Sequence, residues 1–257
     1  MAAQVISISN HKGGVGKTTS VVNIGAALHQ MGKRILMVDM DPQANLSQSL
    51  GIFEPEKSVY TLLRGFCTTE ESMHELEMDL FVIPAELDLS GAELELSMEA
   101  GREFILKDHL NKVKDQFDFI LIDCPPSLGL LTINAFTASN QVYFPLQAQF
   151  LATQGLKKLL EVIEKVQQRL NQDLEIGGVF ITQFDKRKIL NRNVKEAIQK
   201  HFGDTLFNTV IRDNVALAEA PSKQTNIFRY NPKSNGAVDY WALAQEVAER
   251  STTKVTS

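Results

Sequence analysis

The stretch VISISNHKGGVGKTTSVVNIGAALHQM, Val5 to Met31, constrains this chain more than any other. It passes from an apolar, β-branched run through a glycine-rich loop into a helical pattern, the setting that a phosphate cradle requires. Gly13, Gly14 and Gly16 allow the sharp turn that aims backbone N–H groups at an anion. A helix beginning near Lys17 adds the positive end of its dipole. Lys17 is placed to set an ammonium on the β and γ phosphates, and the Thr18 hydroxyl is the expected magnesium ligand. Val15 and Thr19 complete the cradle. The loop departs from G-x-x-x-x-G-K-[ST], because His11 stands where the first glycine belongs, and a second lysine, Lys12, follows it.

The rest of the chain repeats the strand-then-helix rhythm. Strands are predicted at Val5–Ser9, Arg34–Asp39, Leu80–Pro84, Phe119–Asp123, Gln141–Leu146 and Ile176–Thr182. Most are apolar throughout, as suits strands covered on both faces. Helices are predicted at Thr18–Met31, Ala85–Met98, Thr132–Ala138, Thr153–Leu170, Asn191–His201 and Ala237–Arg250. This alternation implies an α/β fold of three layers, a mostly parallel twisted sheet with helices on both faces. One domain over residues 1–257 is expected, with a polar tail at 251–257 that frays. Ligands of such sheets bind beyond the carboxyl ends of the strands. RILMVDMDPQ puts Asp39 and Asp41 at one such end, and FILIDCPPS puts Asp123 at another. Asp123 has the form of the aspartate that holds a magnesium shell through water. Asp41 is placed to orient or deprotonate an attacking water and to approach the metal. Asp39 reads either as their support or as a polar strand cap.

Hydrophobic content of 44% and charged content of 22% are those of an ordinary globular protein. Cys67 and Cys124 form no C-x-x-C pair and read as free thiols of a reducing, cytoplasmic compartment. No apolar run approaches the roughly 20 residues that span a bilayer. Net charge is −5, but its distribution is uneven. Glu70 to Glu103 holds eleven acidic residues and one basic residue, and Lys186 to Lys200 holds six basic residues and one acidic residue. The Glu/Met-rich SGAELELSMEAGREF, Ser90 to Phe104, reads as a solvated helical surface or an interaction face. The basic stretch offers Arg187, Lys188, Arg192, Lys195 and Lys200 to a phosphate backbone, or forms a solvated amphipathic helix.

Together the loop, VDMDPQANLS, FILIDCPPSLGLLTINA, NVALAEAPS and YNPKSNGAVDYWALAQEV resemble the ParA/MinD family of deviant Walker ATPases, within it the Soj-type partition ATPases. The resemblance covers nearly the whole chain. It implies ATP and Mg2+ as cofactors, and Lys12 as the signature lysine that crosses a dimer interface to the partner's phosphates. Two subunits then sandwich two nucleotides. It gives Asp41 to hydrolysis, places Asp41-Pro42 and CPPS in two switches, and sets Thr182 and Asp213 beside adenine. It further implies ATP-dependent homodimers that bind double-stranded DNA non-specifically at the nucleoid, with hydrolysis stimulated by a ParB-like protein. Arg187 matches a DNA-binding arginine of the family. The second such arginine is replaced by Ala216, for which Lys188, Arg192, Lys195 and Lys200, and also Lys223, Arg229 or Lys233, are candidate substitutes. Gln149 replaces an acidic residue of many relatives. The alternatives are a relative that positions a protein cargo on the nucleoid, a MinD-like membrane binder, and a phosphate-loop kinase or ligase. The last helix, with Trp241, Leu243, Ala244 and Val247 expected to face the core, speaks against membrane binding. A redox ATPase would need cluster cysteines that this chain lacks.

Overall fold

The computed structural model describes residues 2–148 and 153–253. Eight strands form one sheet: β1 (Gln4–Ile8), β2 (Ile35–Asp39), β3 (His74–Glu77), β4 (Leu80–Ile83), β5 (Phe119–Asp123), β6 (Gln141–Gln147), β7 (Glu175–Phe184) and β8 (Leu206–Arg212). Their spatial order is β3-β4-β2-β5-β1-β6-β7-β8. Every adjacent pair is parallel except β3 with β4.

The uninterrupted apolar strands are explained by what covers them. Along β2, Ile35 and Met37 pack into one core, and Leu36 and Val38 into the other. Successive side chains of a strand point to opposite faces, so a strand between two helix layers needs apolar residues at both parities. One layer is α1 (Lys17–Gln30) with α12 (Asn235–Thr253), which contribute Val21, Ile24, Leu28, Leu243 and Val247. The other includes α6 (Ile105–Asn111), α7 (Leu130–Ala138), α8 (Thr153–Arg169) and α9 (Ile189–Phe202). Leu243, Ala244 and Val247 are buried as expected, and Trp241 is half-buried against the edge of Phe228.

The six predicted strands are all present, with ends shifted by at most two residues. β3 and β8 lacked a signal. β3 is a four-residue antiparallel edge, HELE, whose acidic side chains look like a loop in sequence. β8 lies at the opposite edge with Asn208 exposed in mid-strand. The helix predicted over Ala85–Met98 is shorter, α5 at Leu89–Glu95. Short helices α2 (Asn45–Ser49), α3 (Val59–Leu63), α4 (Thr69–Ser72), α10 (Val215–Glu219) and α11 (Ile227–Tyr230) also escaped the periodicity. They run one turn or little more, too short for the 3.6-residue repeat to register. α12 continues to Thr253, into the segment expected to fray. Gln149, whose role the sequence left open, lies outside the described residues.

The end of α12 is fastened by Arg250. Its guanidinium lies 3.9 Å from the centroid of Phe207 and donates to the carbonyls of Gly177, Asp204, Thr205 and Leu206. Arg250→Ala is expected to lower stability by about 2 kcal/mol, through the lost stacking and the stranded carbonyls. Urea denaturation checks this, and an unchanged midpoint would contradict it.

Candidate functional site

Register places the chemistry. In the sheet, Ile8 pairs with Asp123, and Asp39 pairs with Asp123 on the other side. The end of β1, where the loop begins, therefore lies beside Asp123 of β5, with Asp39 of β2 one strand further on the same side. Gly14 and Gly16 have φ of 72° and 90°, the left-handed region that glycine enters without strain. Gly16 is the N-cap of α1 and provides no side-chain acceptor, so the helix's first N–H groups face outward without a cap. That is an anion site by construction.

The loop is braced from two neighbouring strands. Thr182 Oγ1 donates to the Val15 carbonyl at 2.9 Å, and Gln183 Nε2 donates to the Gly14 carbonyl at 2.9 Å. Lys12 Nζ donates to Gln147 Oε1 at 2.7 Å, and Gln147 Nε2 donates in turn to Gln183 Oε1. The second lysine thus rests on the ends of β6 and β7 of its own chain. Gln147 and Gln183 had no sequence signal; only the order β1-β6-β7 brings them to the loop. On the other side Ser20 Oγ donates to the Gly16 carbonyl at 2.6 Å and meets Tyr240 from α12 at 3.0 Å.

Beneath the loop, Thr18 Oγ1 donates to Asp123 Oδ2 at 2.6 Å. Asp123 is wholly buried, and among the described residues its Oδ1 has no hydrogen-bond partner. Burial, reinforced by the neighbouring Asp39 carboxylate, raises the Asp123 pKa well above the carboxylate range, while the Thr18 hydroxyl and Lys17 pull it down. A buried, unpaired carboxylate oxygen is costly unless something cationic or protic completes it. Among the described residues no cluster of three His, Cys, Asp or Glu forms a metal cage. A magnesium ion here would instead take Thr18 Oγ1, Asp123 through water, and phosphate oxygens, the open style of coordination that this ion favours. The residues fit the group.

A cavity of about 400 Å³ opens over these groups, lined by Gly13, Gly14, Gly16, Lys17, Thr18 and Thr19 of the loop. Asp41, Gln43 and Asn45 close one side, and Pro126 and Leu217 add to the wall. Lys17 and Asp41 are both buried. A second cavity of about 230 Å³ shares Gly14, Gly16, Thr19 and Leu217 with the first, so the two adjoin. Thr182 and Asp213, remote in sequence from the loop, both line this second space. Leu217 is a wall residue that the sequence did not single out.

The basic stretch is brought together on α9 and the turn before it. Asn191, Val194 and Ile198 are buried, which turns Arg192 and Lys200 outward and leaves Lys195 half-buried, 5.9 Å from the Phe184 ring centroid. Lys188 caps the helix. Arg187 is 85% exposed, and its Nε and Nη2 fork onto Asp185 at 3.0 Å each. That contact holds the Asp185 carboxyl down to about 2. Arg187 is therefore presented, but part of its charge is already matched. Ala216 is packed with Ile227 and Ala237 at the start of α10. Of its candidate substitutes, Lys223 and Lys233 are exposed and Arg229 pairs with Glu77 at 2.7 Å.

The chain is similar to known proteins over most of its length. A family model described as an AAA domain matches residues 3–176. The chain is 48% identical over 242 residues to the chromosome-partitioning ATPase Soj of Treponema pallidum (strain Nichols), covering 94% of this chain and 95% of that protein. It is 48% identical over 248 residues to the sporulation initiation inhibitor protein Soj of Bacillus subtilis (strain 168), covering 95% and 98%. Among solved structures, cobyrinic acid a,c-diamide synthase of Mycobacterium smegmatis with bound ADP and magnesium superposes with a TM-score of 0.87 at 36% identity, covering 98% of this chain and 96% of that one.

Lys17→Ala is expected to weaken ATP binding at least about 100-fold, since it removes a buried cation that lines the cavity. Titration with a fluorescent ATP analogue measures this; an affinity within threefold of the parent would contradict the assignment.

Proposed function

Because this chain belongs to the ParA/MinD family, with Soj-type partition ATPases among its relatives, we propose that it is an ATP-hydrolysing dimerisation switch that segregates DNA. The observation that carries the reading is the Thr18–Asp123 contact under a K-G-G-x-G-K-T loop, with one Asp123 oxygen left without a partner. ATP and Mg2+ are its cofactors, in keeping with the ADP and magnesium held by the Mycobacterium smegmatis neighbour. Magnesium, when bound, would be held by Thr18 and, through water, by Asp123, and would offset phosphate charge. Gly13 to Thr19 bind the triphosphate, Lys17 lays its ammonium on it, and Thr182 and Asp213 flank the base. Asp41, at the mouth of β2, orients the attacking water and accepts its proton.

Lys12 gives the switch its second state. Two triphosphates brought face to face repel strongly, and an interface that holds them needs cations from both sides. Lys12 already stands at the rim of the loop, bonded to Gln147. Exchanging that bond for the neighbouring protomer's phosphates makes dimer formation conditional on ATP. The dimer then doubles the basic face of Arg187, Lys188, Arg192, Lys195 and Lys200. Backbone affinity rises steeply with the number of phosphates neutralised, so the dimer grips DNA where one protomer does not. Hydrolysis, stimulated by a ParB-like partner, releases it, which places the protein at the nucleoid in the cytoplasm.

Two further readings are separable by experiment. A relative that carries a protein cargo over the nucleoid would share the DNA-binding switch and differ in its partner. A phosphate-loop kinase or ligase would turn over ATP in response to a metabolite rather than DNA; the Mycobacterium smegmatis neighbour is named a synthase. Membrane binding is disfavoured because Leu243, Ala244 and Val247 of α12 are committed to the core, and no described helix is long and apolar enough to cross a membrane.

DNA binding measured with ADP, with ATP and with a non-hydrolysable analogue tests the proposal. Binding is expected only with triphosphate, and it falls at least about tenfold between 50 and 200 mM salt. Lys12→Ala and Arg187→Glu should each lose it, while Arg187→Glu keeps its ATP affinity. Binding that ignores the nucleotide, or the salt, would overturn the switch.

A further inference from the structure

Asp39 is wholly buried, lines neither cavity, and yet is fully engaged. Its Oδ1 accepts the backbone N–H of Asp41 at 3.1 Å. Its Oδ2 accepts both the backbone N–H of Ser47 at 3.0 Å and the Ser47 hydroxyl at 2.7 Å. Ser47 Oγ in turn accepts the N–H of Ala85, just past the end of β4, at 2.8 Å. The Ala85 bond occupies a lone pair of that hydroxyl and leaves its proton for Asp39. Carboxylate and hydroxyl therefore fix each other's orientation.

The segment so anchored is the one that carries Asp41, Gln43 and Asn45 into the main cavity. Asp39 holds both its ends, at the N–H of Asp41 and at Ser47 in the short helix α2. Between them the chain turns back through Ala44, at a φ of 52°, and the Ala44 N–H donates to the Asp41 carbonyl at 2.8 Å. Asp39 is also the ladder partner of Asp123, so the anchor is referenced to the strand end that holds Thr18. A buried carboxylate is a costly way to cap a strand. An amide in its place cannot serve, because both oxygens face donors and an NH2 group would oppose one of them.

We propose that Asp39 and Ser47 form a positioning pair that sets the Asp41 carboxylate for hydrolysis, without taking part in nucleotide binding. This rests on the reading of Asp41 as the group that handles the attacking water. Misplacing a reacting group by about 1 Å costs on the order of 100-fold in rate, whereas the phosphate grip of the loop is built from other residues. Removing the pair should therefore lower kcat and leave ATP affinity intact.

The test is single-turnover ATP hydrolysis, ATP affinity and thermal midpoint for Asp39→Asn, Ser47→Ala, the double variant and Asp41→Ala. Ser47→Ala is the milder change and serves should Asp39→Asn fold poorly. The expected result is a fall in kcat of about 10- to 100-fold for either single variant, with ATP affinity within twofold of the parent. The double variant should be no slower than the worse single one, because the pair acts as a unit. Hydrolysis within twofold of the parent, whatever the thermal midpoint does, would make the pair structural and overturn the proposal. So would a joint loss of affinity and rate. Should Asp41→Ala itself hydrolyse ATP normally, the underlying reading of Asp41 falls and the positioning role falls with it.

Discussion

Everything at this site depends on the parallel pairing of β1 with β5 and of β5 with β2. Three strand ends then lie side by side, and the loop, Asp123 and Asp39 emerge within reach of one another. Parallel register is fixed by apolar side chains of both parities, each committed to its own helix layer. A slip of one residue would send each of these side chains to the opposite helix layer, so the geometry of Thr18 against Asp123 is secured by packing far from the ligand.

That security supports a locally unfavourable arrangement. Two carboxylates sit adjacent and wholly buried at the ends of β2 and β5. Burial pushes the Asp39 carboxyl up to about 6, opposed by its bonds from Ser47 and Asp41. Such groups do not stabilise a fold by themselves. They persist because the core around them is large enough to carry the cost, and because Lys17 and the hydrogen bonds from Thr18, Ser47 and Asp41 offset part of it. The loop shows the same economy: its glycines give freedom, and Thr182, Gln183 and Gln147 remove it again from the side of β6 and β7.

The sequence revealed most where one local stretch fixes both structure and chemistry. The loop, Asp41 and Asp123 were legible because strand, turn and helix are contiguous there, and the strands because double burial leaves an unbroken apolar run. It revealed least where tertiary order does the work. Gln147 and Gln183 look like ordinary strand-end residues until β6 and β7 line up beside β1. Ser47 looks like any serine of a short helix until Asp39 and Ala85 close on it. β3 and β8 lie at sheet edges, where one-sided burial and polar residues dilute the pattern. The basic run was visible as charge, but the fork of Arg187 onto Asp185 was not.

The central claim is that bound triphosphate, through Lys12, joins two copies of this chain. Molar mass by light scattering, with Mg2+ and either ADP or a non-hydrolysable ATP analogue, tests it most directly. The mass of one chain is expected with ADP and that of two chains with the analogue. A single-chain mass in both, at concentrations that saturate the site, would contradict it.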